Sequence, residues 1–298
     1  MKVAIINAVA LTGALAVSLA LASSAVHPSE LEVTSGVGAA DVADDGEASS
    51  QRIASASSVA DQVLAEIARP EDVVAISMAA RGAPTWRFAD AARIVRVQDV
   101  EGIVELRPTV VFASAIGGDR SVQRLREAGI RVVSLGDLRG FDSLPEEIMR
   151  IGEAIGAEAR AAEYAQRLRR RMNELRAQET VARGIYLSVH GTHFYGGTAG
   201  SSYGDVLRAG GVEDVAAAAG FTGWPDYSAE EILRLNPPLL VMPEGHPEAL
   251  CRIEAMSTLS ACRTESFVTL PADVLNDPGP ALVEAAAALR TLVERMSP

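Results

Sequence analysis

The feature that most constrains the fold is a frame of residues that occurs twice in the chain. VEGIVELRPTVVFAS begins at Val100, and AEEILRLNPPLLVMP begins at Ala229. Both read Glu-x-Ile-(Val/Leu)-x-Leu-x-Pro before an apolar run, and their leading residues, Glu101 and Glu230, lie 129 positions apart. Because proline lacks the backbone N–H that would extend a helix, each copy predicts a short helix followed by a buried strand. The chain therefore contains two α/β units of similar build.

Strands and helices alternate around the first copy. The predicted strands are RIASAS, DVVAIS, Ile94–Val97, VVFAS and IRVVSLG. Ser57 or Ser58 caps a helix over VADQVLAEIA, and Asp99 caps the helix that carries Glu101. This alternation predicts a parallel sheet with helices on both faces.

The alternation restarts around the second copy. GIYLSV, LLVMP and SFVTLP are predicted strands, while YGDVLRAGG and residues 279–296 are predicted helices. Ser228 and Glu231 form a capping box at the helix that carries Glu230. HGTHFYGGTAGSS is interpreted as a glycine-rich loop.

The stretch between the two units differs from both. Ser143 and Glu146 form the pattern of a capping box, and helix formers continue to Thr180 with only Gly152 and Gly156 as breakers. A single helix of about 37 residues would span roughly 55 Å and join two lobes as a rigid strut. It would limit lobe closure to a small tilt, whereas a break near Gly156 would let the lobes swing freely.

The first 25 residues resemble an export signal. Lys2 precedes an apolar stretch over residues 8–22, and small residues follow, which is too short and wrongly flanked for a persistent membrane span. We expect export to the periplasm. The only cysteines are Cys251 and Cys262, so we expect no lipid anchor, and an oxidising compartment favours a local disulfide over a metal or catalytic site.

The formal net charge of −12 argues against nucleic acid and anionic membranes as partners. We expect a monomer that is not embedded in the membrane. The predicted segments are a signal peptide at 1–25, a flexible leader at 26–50, an N-terminal lobe at 51–142, a connecting helix at 143–180 and a C-terminal lobe at 181–298.

Taken together, these segments resemble the helical-backbone class of periplasmic substrate-binding proteins, which serve ATP-driven importers of ferric siderophores, haem or cobalamin. The resemblance rests on RIASAS with its helix, the two framed copies, the long connecting stretch, YGDVLRAGGVEDVAA and PGPALVEAAAALRTLV. It implies an α/β fold of two Rossmann-like lobes with central parallel sheets, joined by a single long backbone helix, with the ligand cleft between the lobes. The class commonly has aspartate after the framed proline, whereas this chain has Thr109 and Pro238, which points to a divergent subgroup.

The resemblance implies that Glu101 and Glu230 dock against arginines of the membrane permease, as a two-point electrostatic contact. The alternative is that each acid only complements its helix dipole.

In such a fold the ligand lies at the carboxyl ends of the strands, where the loops hold much of the chain's scarce aromatic and histidine content. Trp86 and Trp224 are candidates for stacking on a flat chelate, histidine and tyrosine can ligate haem iron, and Arg81 and Arg87 can pair with carboxylates. Loop anchoring, capping or solvation are the alternatives for these residues. The candidate ligand-binding residues are Ser57, Arg81, Trp86, Arg87, His190, His193, Tyr195, Tyr203, Trp224, Tyr227 and His246.

We therefore predict a protein that captures an iron chelate, a ferric siderophore or haem, with no intrinsic cofactor and no bound metal of its own. Cobalamin is the alternative cargo. The sequence contains no GxSxG, P-loop or HExxH motif, so we predict no enzyme activity. A chelatase-like or metal-dependent enzyme using His190 and His193, or direct binding of zinc or manganese, remains open.

Overall fold

A computed structural model describes residues 51–78, 88, 92–114, 118–136, 140–191, 193–243, 245, 247–271 and 279–296. Five parallel strands form an N-terminal sheet in the order β3-β2-β1-β4-β5. They are β1 (Ile53–Ala56), β2 (Val73–Ser77), β3 (Arg93–Val95), β4 (Val110–Ser114) and β5 (Val132–Leu135), and they alternate with α1 (Ser58–Ile67), α2 (Val100–Glu105) and α3 (Asp119–Glu127). The predicted α/β class and parallel sheet are confirmed here.

The C-terminal sheet is mixed, with strand order β11-β10-β6-β7-β9 and β8 paired with β6. Its strands are β6 (Ala182–His190), β7 (His193–Gly196), β8 (Val212–Asp214), β9 (Asp226–Tyr227), β10 (Leu240–Pro243) and β11 (Phe267–Leu270). Its helices are α6 (Ser202–Ala209), α7 (Val215–Ala218), α8 (Ala229–Leu235), α9 (Pro247–Cys251), α10 (Ser260–Thr264) and α11 (Ala281–Met296). The predicted parallel centre is confirmed, since β8, β6, β10 and β11 pair in parallel. The sequence did not indicate the addition of β7, which is antiparallel to both β6 and β9.

The connecting stretch is two helices, α4 (Leu144–Ala154) and α5 (Glu158–Arg176), so the prediction of one continuous helix over 143–180 was wrong. Gly156, at φ 64°, supplies the left-handed conformation that ends α4, and the Ala157 N–H donates to the Gly152 carbonyl at 2.8 Å. Gly152 lies directly against Ala161, where any side chain would collide. Leu144 and Ile148 of α4 line one small space with Leu168 and Met172 of α5, so the helices fold back on each other as an antiparallel hairpin.

The predicted capping box at the start of α4 is absent. Ser143 already has helical φ and ψ values of −85° and −21°, and its hydroxyl donates to the Gly140 carbonyl at 2.8 Å. A serine in this conformation does not present its oxygen to the first-turn amides, so sequence spacing alone misidentified the cap.

Ion pairs join the connecting hairpin to α6 of the C-terminal lobe. Arg176 lies 2.9 Å from Asp142 and 2.6 Å from Asp205, and the Phe141 N–H donates to Asp205 at 2.9 Å. Burial alone lowers the pKa of Arg176, but the bonds to the two carboxylates outweigh it and raise the pKa above its ordinary value. The arginine therefore remains charged and holds the two segments together.

The repeated frame produces the same backbone in both lobes. Asp99 caps α2 through the Gly102 N–H, and the capping box of Ser228 and Glu231 begins α8, as predicted. Each helix ends in a residue of left-handed conformation before the proline, Arg107 at φ 45° and Asn236 at φ 41°. The two framed segments then enter β4 and β10, the corresponding strands of the two sheets.

The predicted disulfide between Cys251 and Cys262 is confirmed, with 5.5 Å between the Cα atoms. It links the end of α9 to α10 and closes a segment of residues 251–262, between β10 and β11, that includes a 3₁₀ turn at Met256–Thr258. Met256 and Leu259 of this segment are buried in one cluster with Ile232 of α8. The closed segment therefore supports the helix that carries Glu230.

Candidate functional site

The candidate site lies on an antiparallel extension of the C-terminal sheet. β6 pairs in parallel with β10 only at Ile185 and Tyr186, and its last four residues pair instead with β7. The glycine-rich segment that the sequence suggested as a loop is therefore partly a strand. The extension continues the carboxyl end of β6, which is where ligands bind in open α/β sheets.

Period-two alternation gives this extension two different faces. Ser188 lies opposite Tyr195, Tyr195 lies opposite Asp226, and His190 lies opposite His193, so these side chains share one face. The other face carries the buried side chains of Leu187, Phe194 and Tyr227. We call the first set, together with Tyr186, Tyr203 and Trp224, the aromatic face.

Two histidines surround an exposed tyrosine on the aromatic face. The ring of Tyr195 lies 5.9 Å from that of His190 and 5.8 Å from that of His193, and Tyr195 is 42% exposed. Ser188 Oγ is 3.0 Å from His190 Nε2, and the Asp226 carboxylate is 3.6 Å from His193 Nδ1. Each imidazole therefore has a polar neighbour on the same face, and both histidines are exposed.

A stack of three aromatic rings continues the same face toward α6. Tyr186 stacks on Tyr203 with ring centroids 4.2 Å apart, and Trp224 meets Tyr203 edge-on at 4.9 Å. Burial raises the pKa of the Tyr186 phenol, while its hydrogen bonds with Tyr203 and Ser188 act in the opposite direction. Trp224 is 55% exposed, so the stack presents a large apolar surface that is held by buried rings.

Two of the predicted ligand-binding residues do not face this surface. Tyr227 is only 3% exposed, lies on the opposite face of the strands and packs on Phe221 and Gly196. Burial, and then the nearby Asp214 and Glu231 carboxylates, raise the pKa of its phenol. Ser57 is buried, and its hydroxyl accepts the Ala60 N–H as the cap of α1. Both residues support the fold instead.

The N-terminal lobe contributes a buried carboxylate that sequence reasoning missed. Asp61, in the first turn of α1, accepts the Ser77 N–H at 3.2 Å and the Ser77 hydroxyl. This fixes α1 against the carboxyl end of β2. The signal in the sequence was an acid among the apolar positions of an amphipathic helix.

Four predicted ligand-binding residues lie outside the described residues, namely Arg81, Trp86, Arg87 and His246. Within the described part of the chain, no cluster of three or more His, Cys, Asp or Glu side chains could hold a metal ion.

The two framed glutamates are both on the surface. The Glu101 side chain is 91% exposed in the first turn of α2, and Glu230 is exposed in the first turn of α8. Hydrogen bonds from the backbone and then the hydroxyl of Ser228 lower the pKa of the neighbouring Glu231. Glu231 therefore serves the helix cap, and Glu230 is left to face solvent.

The described chain thus has two α/β sheets joined by a helical hairpin, with an aromatic face beyond the end of one sheet. The profile of the periplasmic binding protein family matches residues 53–279, and the chain belongs to this family.

Solved structures support the same fold. The periplasmic haem-binding protein HutB of Vibrio cholerae superimposes with a TM-score of 0.71 at 18% identity, covering 82% of this chain and 99% of that chain. The periplasmic vitamin B12-binding protein BtuF of Vibrio cholerae gives a TM-score of 0.66 at 21% identity, covering 82% and 97%.

A sequence relative is the uncharacterized ABC transporter substrate-binding lipoprotein YvrC of Bacillus subtilis strain 168, which is 24% identical over 196 residues. The match covers 62% of this chain, and the chain spans 62% of that relative's length. Among the helices of the described residues, none combines the length and apolar character that crossing a bilayer requires.

Proposed function

We propose that this protein captures an iron chelate, haem or a ferric siderophore, outside the cytoplasmic membrane and delivers it to the permease of an ABC transporter. The observation that carries the proposal is the aromatic face, where Trp224 and Tyr195 are exposed beside His190 and His193. Membership of the periplasmic binding protein family and the named cargo of HutB support it.

The chemistry of the aromatic face suits a flat, partly apolar chelate. Exposed aromatic rings stack on a macrocycle, and their buried partners keep them in place at low entropic cost. Imidazole and phenol oxygen are both established axial ligands of haem iron. His190 and Tyr195 are our candidates for that contact, because both are exposed and each is oriented by a neighbour on the same face.

We assign the contact with the permease to Glu101 and Glu230. They occupy equivalent first turns of equivalent helices, one in each lobe, and both are exposed. Two carboxylates on separate lobes would select one docking orientation on a partner that presents arginines.

We also propose that the protein is exported across the cytoplasmic membrane. The disulfide suits an oxidising compartment. Cleavage of the signal at residues 22–25 and the absence of a lipid are predictions, and YvrC is named a lipoprotein. Mass spectrometry of the protein isolated from its native cell would give the N-terminus and reveal any lipid.

Spectral and calorimetric titration of the purified protein tests the cargo. We expect saturable binding of haemin or a ferric siderophore, and weaker binding by H190A and Y195F than by the exposed-surface control M149A. Tight binding of cobalamin alone would select the alternative suggested by the resemblance to BtuF. Binding of zinc or manganese without a chelate, or turnover of a tetrapyrrole with a metal ion, would contradict the proposal.

A further inference from the structure

The surroundings of the two proposed docking glutamates differ, although the helices that carry them correspond. This inference rests on the proposed function, because it concerns the contact with the permease. In the N-terminal lobe, α3 packs beside α2, and Arg124 Nη2 of α3 lies 4.0 Å from Glu101 Oε1. Glu105, on the next turn of α2, is likewise paired with Arg93 at 3.4 Å. Both glutamates of α2 therefore have an arginine of their own chain nearby.

In the C-terminal lobe, no arginine from a neighbouring element is paired with the glutamate. Arg234 lies one turn after Glu230 on α8 itself, without an ion pair between them. Glu230 forms no ion pair of 4 Å or less with any residue that the structure describes. The place that α3 takes beside α2 is taken here by the disulfide-closed segment, whose 3₁₀ turn Met256–Thr258 contacts α8. That turn offers only apolar and hydroxyl side chains.

The disulfide-closed segment also holds α8 firmly. Asn236, at the end of α8, accepts the Ser260 N–H at 2.8 Å, and the Pro237 carbonyl accepts the Ala261 N–H at 3.2 Å. Glu230 thus stands on a helix that is held in place and has no ion pair among the described residues, while Glu101 lies within ion-pair distance of Arg124. A guanidinium beside a carboxylate must be displaced, or must share the oxygens, when a partner's arginine binds.

We propose that permease docking is unequal between the lobes: Glu230 makes the stronger contact, and Arg124 weakens the contact of Glu101. Arg124 therefore competes with the arginine of the permease for the carboxylate of Glu101. Since both side chains are largely exposed, the effect is limited in size, at about two- to fivefold in affinity.

A double-mutant cycle on the permease tests this. The cargo-loaded protein is titrated onto the permease–ATPase complex of its importer in nanodiscs, as wild type, E101Q, E230Q, R124Q and R124Q/E101Q. E230Q should weaken binding more than E101Q, although both remove one negative charge. R124Q should tighten binding by about two- to fivefold, and this gain should vanish in the E101Q background.

The control R126Q changes the same charge on the same helix, and Arg126 bonds to Ser134 instead. It should leave docking unchanged, and circular dichroism should show each variant folded. Equal losses for E101Q and E230Q, or a gain from R124Q that persists without Glu101, would overturn the unequal-docking inference and leave the proposed docking intact. If neither glutamate variant alters docking, the proposed permease contact itself fails.

Discussion

The two lobes start from one repeated frame and diverge beyond it. The N-terminal sheet is wholly parallel, and a simple helix, α3, connects β4 to β5. The C-terminal sheet adds an antiparallel extension at the end of β6 and replaces the simple helix with a disulfide-closed segment. The comparison shows which parts of the duplicated unit are scaffold and which are additions. The additions hold the aromatic face and support α8.

The largest effect should come from the buried face of the antiparallel extension. Y227A removes a ring that packs on Phe221 and Gly196, and loss of a buried aromatic side chain costs about 3–5 kcal/mol in the free energy of unfolding. Urea denaturation measures it. A decrease of less than about 1 kcal/mol in the free energy of unfolding would mean that Tyr227 does not lie on a buried face of the extension.

The disulfide should have the next largest effect. C251S/C262S should lower the free energy of unfolding by about 3 kcal/mol in the chain-entropy model, and reduction of the wild type should do the same. It should also weaken permease docking through α8, with chelate affinity unchanged. Reducing agent added to the double variant is the control and should change nothing. Unchanged docking after reduction would show that α8 needs no such support.

A substitution on the aromatic face should change the affinity for the chelate and leave the free energy of unfolding unchanged. W224A should weaken chelate binding about tenfold, or about 1.4 kcal/mol, because it removes the exposed end of the aromatic stack. W224F should retain most of the affinity. Spectral titration measures both variants, and a loss of stability with unchanged affinity would instead make Trp224 a structural residue.

The smallest effect concerns the cap of α8. The pKa of Glu231 is lower in the folded state than in the unfolded state, so the ionised carboxylate stabilises the fold above the ordinary carboxyl pKa. This stabilisation is lost as the pH falls through the pKa of the folded state. E231Q should therefore flatten the acid side of the stability profile. Thermal unfolding between neutral and acid pH checks this. Parallel profiles for E231Q and wild type would contradict it.

Local signals predicted most of the lobes. The caps at Asp99 and Ser228, the prolines that end the framed helices and the alternation of strands all act within a few residues, and each was confirmed. The helical hairpin was missed because the contact of Gly152 with Ala161 exists only after the chain folds back. A glycine in a helix-rich stretch shows where a break is possible, not whether packing uses it.

The site was predicted less completely for a related reason. Loop position and residue type selected His190, His193, Tyr195, Tyr203 and Trp224, which the structure brings onto one face. Tyr227 was selected by the same criterion, but strand register turns it to the buried face. A two-residue strand is too short to show its alternation in the sequence, so only the fold decides which way it points.

The account depends on the C-terminal aromatic face being the surface that receives an iron chelate. The most direct measurement is the absorption spectrum of the protein purified from its native compartment, without added ligand. The account predicts the bands of haem or of a ferric siderophore, and their loss or shift in a Y195F protein purified in the same way. A colourless protein that also fails to take up added haemin or ferric siderophore would contradict it.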